Sequence, residues 1–139
     1  MILSSLIKAI LIASIPFQVL RFLAGVSEKY LKPFEGIHSE MVENSFRSRW
    51  SLQSIVLVEL LEIVLPAFFF ALILPFIPLS GIKAGLFFGI LIFFVGSVPQ
   101  TVIITQSIKL PVNFIVIHLF WQLLKNLVVF GVIGAMYRL

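Results

Sequence analysis

The sequence predicts an all-α integral membrane four-helix bundle, with both termini on the same side and an amphipathic segment between the first two helices. Three observations carry this expectation. Four apolar runs, about 1–26, 53–78, 84–106 and 110–137, are each long enough as helices to cross roughly 30 Å of hydrocarbon. The runs are continuous rather than alternating, which excludes a membrane barrel and leaves the helix as the structure that satisfies its own backbone in lipid. The composition agrees: 60% hydrophobic and 12% charged residues over 139 positions, with a mean hydropathy of +1.16, is far from the usual water-soluble mixture.

The first run contains Pro16, which is expected to kink it. It reads as a retained span rather than a cleaved signal peptide. No small-x-small cleavage site precedes Ser27, and the flank after the run (Arg21, Lys29, Lys32) is more basic than the one before it, which holds Lys8. Residues 27–52 are the one long hydrophilic stretch, in which Lys29, Lys32, Arg47 and Arg49 face Glu28, Glu35, Glu40 and Glu43. Within it Ile37, Met41, Val42, Phe46 and Trp50 recur at helical spacing and Glu43 precedes Arg47 by four. That pattern fits a short helix lying on the membrane surface; a solvated loop is the alternative. Pro75, Pro78, Ser80 and Gly81 end the second span, and Ser107 to Pro111 form the turn between the third and fourth. Connections this short predict that spans two to four pack as antiparallel neighbours, so the chain reads as a single membrane domain, 1–139.

Four spans place both termini on one side, with Lys8, Lys83 and Arg138. The other side carries Arg21, Lys29, Lys32, Arg47, Arg49 and Lys109. The positive-inside bias therefore predicts a cell-membrane protein with a cytoplasmic 27–52 segment and termini outside. The net charge of +4 and pI near 9.8 belong to these flanks, and no nucleic-acid partner is expected.

Ionisable groups inside hydrocarbon cost at least about 2.5 kcal/mol each on insertion scales, so those retained should face the bundle interior or a wet cavity. The second span carries Glu59 and Glu62, three apart on one helix face. The fourth carries His118, Gln122, Lys125 and Asn126 within an arc of roughly 100°. Ser14, Gln18 and Arg21 form a similar stripe in the first span, and Ser97, Gln100 and Thr101 in the third, whose Gly85, Gly89 and Gly96 share the Gln100 face. Counting depth from the 27–52 side brings Glu59, Glu62, Gln18, Gln100, His118, Gln122, Lys125 and Asn126 into one half of the bundle. The glycines suit close helix approach in the other half. The expected ligand or proton site is this set of eight, centred near Glu62 and Gln122. In it, Glu59 or Glu62 exchanges a proton or binds a cationic group, and His118 and Lys125 tune or replace that charge. Interhelical pairing that merely holds the bundle together is the alternative.

Other chemistries find less support. The chain has no Cys and no Asp, which removes disulfides, thiolate metal sites and Cys nucleophiles, and no Gly-x-Ser-x-Gly elbow places Ser14 or Ser97 beside His118. With one intramembrane His and no paired Glu-x-x-His motif, neither a metal nor another cofactor is expected. Length and span number resemble those of small multidrug transporters and of membrane glutathione-transferase-type enzymes. The first span lacks the Glu characteristic of the former, and Glu59 and Glu62 are not followed by the Glu/Asn/Arg pattern of the latter.

Three functional classes remain: a small transporter or carrier, a non-catalytic accessory subunit docking through 27–52, and, third, an intramembrane enzyme acting on a lipid or apolar substrate. The expected partners are the lipid bilayer and either further copies of the chain or a partner membrane protein.

Overall fold

The computed structural model describes residues 2–31, 51–107 and 110–137, and these form an all-α bundle without strands. Four helices are long and apolar enough to cross a membrane, at Leu3–Ser27, Leu52–Phe76, Gly81–Ser107 and Val112–Met136. The chain is a multi-pass membrane protein. The first helix runs unbroken from Ile2 through Pro16 to Leu31, beyond the expected end of the apolar run. Residues 32–50, with the Ile37 to Trp50 stripe, lie outside the described residues, as do Lys109 and Arg138.

Ser51 starts the second span as an N-cap: its hydroxyl accepts the Ser54 amide at 3.2 Å, satisfying one of the donors a helix start leaves open. At the other end Gly81 holds φ +59° and turns the chain into the third helix. Only glycine adopts that left-handed backbone without strain, so the third span starts there, three residues ahead of its apolar run.

Both central spans contain one wide turn. Residues Leu60–Val64 and Phe93–Ser97 are π-helical, closed by the Leu65 amide donating to Leu60 O and the Val98 amide donating to Phe93 O. Each lies just before a proline, Pro66 and Pro99. A proline lacks an amide hydrogen and its ring crowds the carbonyl four residues earlier, here Glu62 and Val95; the widened turn makes room for it.

The wide turn moves every later side chain round by one position. Gly85 and Gly89 are buried, and regular spacing would continue that face through Gly96 and Gln100. Instead Phe93 and Thr101 are buried while Gly96 and Gln100 are exposed.

The fourth span is the centre of the bundle, packed along the third span on one side and the first on the other, while the second leans mainly on the first. The expected neighbour order therefore holds for spans three and four and differs for the second. Side-chain size explains the difference. A Cβ built on Gly85 would lie 1.9 Å from Phe130 O, one on Gly89 2.7 Å from Asn126 O, and one on Gly134 2.5 Å from Gly81 O, so backbones meet directly along the third–fourth seam. Ala9 and Ala13 bring the first helix into the core in the same way. The second span has no glycine, and Leu60, Leu61, Leu65, Phe68, Phe69 and Leu72 face outward to lipid.

At the end away from the 27–52 segment the core is aromatic. Phe88 lies between Phe70 at 5.2 Å and Phe130 at 5.0 Å in tilted and edge-on contacts, and Tyr137 meets Phe70 at 6.4 Å. These rings fill the core at this end, and the space beside them, lined by Leu74, Pro75, Ile77, Leu79, Ser80, Gly81 and Tyr137, carries no charged side chain among the described residues.

Candidate functional site

At the end next to the 27–52 segment the first, second and fourth spans separate around a half-open cavity of about 200 Å³. The first span contributes Arg21 and Ala24, and the second contributes Ser54, Val58 and Glu62. From the fourth come His118, Trp121, Gln122 and Lys125, which recur every three or four residues and so share one helix face. Glu62 sits within the π-turn before Pro66, so the wide turn fixes the direction in which its carboxylate leaves the helix.

The floor of the cavity is an ion pair. Lys125 Nζ donates to Glu62 Oε2 at 2.7 Å and lies 5.2 Å from the centroid of the Phe17 ring, giving the ammonium a carboxylate on one side and an aromatic face on the other. The Lys125 side chain is 10% exposed and that of Glu62 36%. The burial is thus uneven: the cation is enclosed by protein and the carboxylate reaches into the open space.

Arg21 is 7% exposed and places Nη2 3.5 Å from the Ser54 hydroxyl. Its charge therefore lies inside the bundle and not in the headgroup layer, where a basic residue near a span end would act as a topology signal. Its place on the Ser14–Gln18–Arg21 stripe was the signal for this position. Trp121 donates its indole N–H to the Ser27 hydroxyl at 2.8 Å, and that hydroxyl donates to Ala24 O at 2.8 Å, tying the fourth span to the end of the first. His118 stacks on Phe114, with ring centroids 5.6 Å apart and planes at 11°.

The other expected site residues are placed elsewhere. Glu59 accepts from Gln18 Nε2 at 3.0 Å across the first–second contact, so the two acidic residues of the second span serve different neighbours. Asn126 faces the third span, donating to the Ser97 hydroxyl at 3.3 Å inside the second π-turn. Gln100 is exposed on the far side of that span because of the one-position shift described above. The structure thus gathers Glu62, His118, Gln122 and Lys125 at one cavity, adds Arg21, Ser54 and Trp121, and leaves Gln18, Glu59, Gln100 and Asn126 off its lining. Lys125 and Asn126, adjacent in sequence, each reach a π-turn of a different neighbouring span.

Such a lining can bind and move charge. Among the described residues it offers several hydrogen-bond donors, one carboxylate and an imidazole, the components of proton-linked binding. Among the described residues no three His, Asp or Glu side chains gather as a metal-binding group.

Fold and cavity together define a four-span membrane protein with a charged cavity confined to one end of the bundle. No family model, curated protein or solved structure matches the chain.

Proposed function

We propose that this protein is a small transporter or carrier of the cell membrane whose cavity holds a polar ligand reached from the cytoplasmic side. The observation that supports this reading is the convergence of Arg21, Glu62, His118 and Lys125 on one cavity at membrane depth. Glu62 lies about 15 Å along the second span from Leu52, counting about 1.5 Å per residue. Charges are costly there, and a water-accessible ligand site gives them a reason to persist. On this reading Glu62 takes up and releases a proton as ligand enters and leaves, with Lys125 as its internal partner.

The 27–52 segment is cytoplasmic and the termini face outward on this reading. With Arg21 inside the bundle, the flanking bias rests on Lys29, Lys32, Arg47, Arg49 and Lys109 against Lys8, Lys83 and Arg138, still in the same direction. The functional unit is a homo-oligomer.

One observation favours a second reading. Lys125–Glu62, Gln18–Glu59 and Asn126–Ser97 are already paired within the bundle, as expected of helix-holding contacts in an accessory subunit of a larger membrane complex. Two measurements separate the readings. Glu62→Gln is expected to keep the folded yield and abolish the pH dependence of ligand binding or flux; loss of the detergent-stable fold instead assigns the pair to structure. Native-level purification followed by mass spectrometry of bound proteins and lipids is expected to return a homo-oligomer without a stoichiometric partner. A stoichiometric partner released by disrupting Phe46 and Trp50 favours the subunit.

A further inference from the structure

We propose that the cavity takes a phosphate group, and that protonation of Glu62 releases Lys125 to receive it. The inference rests on the cavity being a ligand site, and it names the ligand's chemistry.

Charge is the first argument. Among the described residues the lining holds two basic side chains, Arg21 and Lys125, and one carboxylate, Glu62. His118 adds a further positive charge when protonated. Glu59 is turned toward Gln18 and is not part of the lining, and the third span's Lys83 lies at the opposite end of the bundle. A cationic ligand would meet Arg21 and Lys125 and would have to displace the 2.7 Å bond that already occupies Glu62. An anion meets the opposite situation, since like charges repel and unlike ones attract most strongly where solvent is excluded.

Hydrogen-bonding capacity is the second. Guanidinium, ammonium, hydroxyl and amide donors from Arg21, Lys125, Ser54 and Gln122 converge from three helices. A guanidinium has five N–H groups in a planar fork, so it can hold an oxyanion while keeping other contacts. A phosphate, with several acceptor oxygens, uses such a donor set more completely than a neutral ligand does.

Size is the third. A cavity of about 200 Å³ is smaller than the roughly 300–1,000 Å³ of sites for drug-sized molecules, and suits a small head group rather than a bulky organic ion. Free phosphate and the phosphate of a lipid share this chemistry.

Proton coupling then follows from the ion pair. When Glu62 binds a proton its carboxyl becomes neutral, Lys125 loses its counter-ion, and phosphate oxygens replace it. Loss of the proton restores the Glu62–Lys125 pair and expels the anion.

The test uses the full chain in detergent with Trp50→Phe, which leaves Trp121 on the cavity wall as the sole tryptophan. Its emission is titrated with inorganic phosphate, dioctanoyl phosphatidic acid, dioctanoylglycerol and tetraphenylphosphonium. Inorganic phosphate or phosphatidic acid is expected to shift the emission saturably, with no such response to the other two. A response to both phosphates indicates the free ion as sufficient; a response to phosphatidic acid alone indicates a lipid head group. Glu62→Gln, a mimic of the protonated state, should tighten phosphate binding about tenfold, as removal of about 1.4 kcal/mol of competing attraction would. Arg21→Lys, which keeps the charge and loses the fork, should weaken it about tenfold.

Tetraphenylphosphonium binding that disappears in Glu62→Gln overturns the phosphate assignment while leaving a ligand site in place. Equal responses to phosphatidic acid and dioctanoylglycerol, or phosphate binding indifferent to both substitutions, also overturn it. Silence of Trp121 toward all four probes overturns the site along with the ligand.

Discussion

Replacing Gly85 by alanine is expected to break the seam between the third and fourth spans. The new methyl group would lie 1.9 Å from the Phe130 carbonyl oxygen and 3.1 Å from the Gly134 Cα, and both are backbone atoms of the bundle's central helix. A flexible side chain could rotate away, but a helix backbone has to translate. Moving it also separates Gly89 from Asn126 and Gly134 from Gly81, where the same close approach recurs. In a membrane, helix association depends on this packing rather than on a hydrophobic drive, so the loss is large, at least about 3 kcal/mol. Gly96→Ala is the matched control. Its Cβ would have nothing within 4 Å, and it should stay within about 0.5 kcal/mol of the parent. Unfolding by sodium dodecyl sulfate in mixed micelles, followed by circular dichroism, measures both. Equal stability of the two variants would mean that the seam is not a main source of stability.

The second large effect is an asymmetry across the ion pair. Lys125→Ala removes the sole donor found on Glu62 among the described residues, leaves a carboxylate at membrane depth, and empties the space over the Phe17 ring. Glu62→Gln removes the negative charge yet keeps an amide oxygen in its place, a weaker, neutral acceptor that Lys125 can use until an anion displaces it. Lys125→Ala is therefore expected to cost about 1–3 kcal/mol, reduced from the 3–5 kcal/mol of a fully enclosed pair because Glu62 is 36% exposed. Glu62→Gln should cost under about 1 kcal/mol. A double-mutant cycle by the same unfolding measurement should return a coupling of about 1 kcal/mol, within the range measured for interhelical contacts in membranes. Equal losses from the two single variants would mean that an amide oxygen does not replace the carboxylate as an acceptor for Lys125.

Much of this architecture is legible in the residue pattern because hydrocarbon imposes simple rules. Four long apolar runs become four helices, and polar residues at three- and four-residue spacing in the fourth span share one face because that helix is regular throughout. The same projection goes astray in the third span. Gly85, Gly89, Gly96 and Gln100 line up only if every turn has the same width, and the π-turn at Phe93–Ser97 breaks that condition. Pro99 marks the irregularity in the sequence, as Pro66 does in the second span, yet Pro16 sits in an unbroken helix, so proline alone does not determine the outcome. Arg21 was obscured for another reason. Basic residues near a span end carry topological information, and a count of flanking charges does not distinguish an arginine in the headgroups from one turned inward. Neighbour order depended on side-chain volume: the glycine and alanine faces select partners for close packing, and the second span, lacking glycine, leans on the bundle from one side.

The central claim is that the space among Arg21, Glu62, Gln122 and Lys125 is a water-accessible ligand cavity at the end of the bundle next to the 27–52 segment. The chain contains no cysteine, so any thiol introduced reports on its own position alone. Single Gln122→Cys and Ser54→Cys variants should react in sealed vesicles with a membrane-impermeant methanethiosulfonate reagent applied from the face that carries the 27–52 segment, and Leu72→Cys on the lipid-facing side should not. Rapid modification of Gln122→Cys from that face alone, slowed by an occupant of the cavity, is the predicted result. Gln122→Cys as unreactive as Leu72→Cys from both faces would contradict the account.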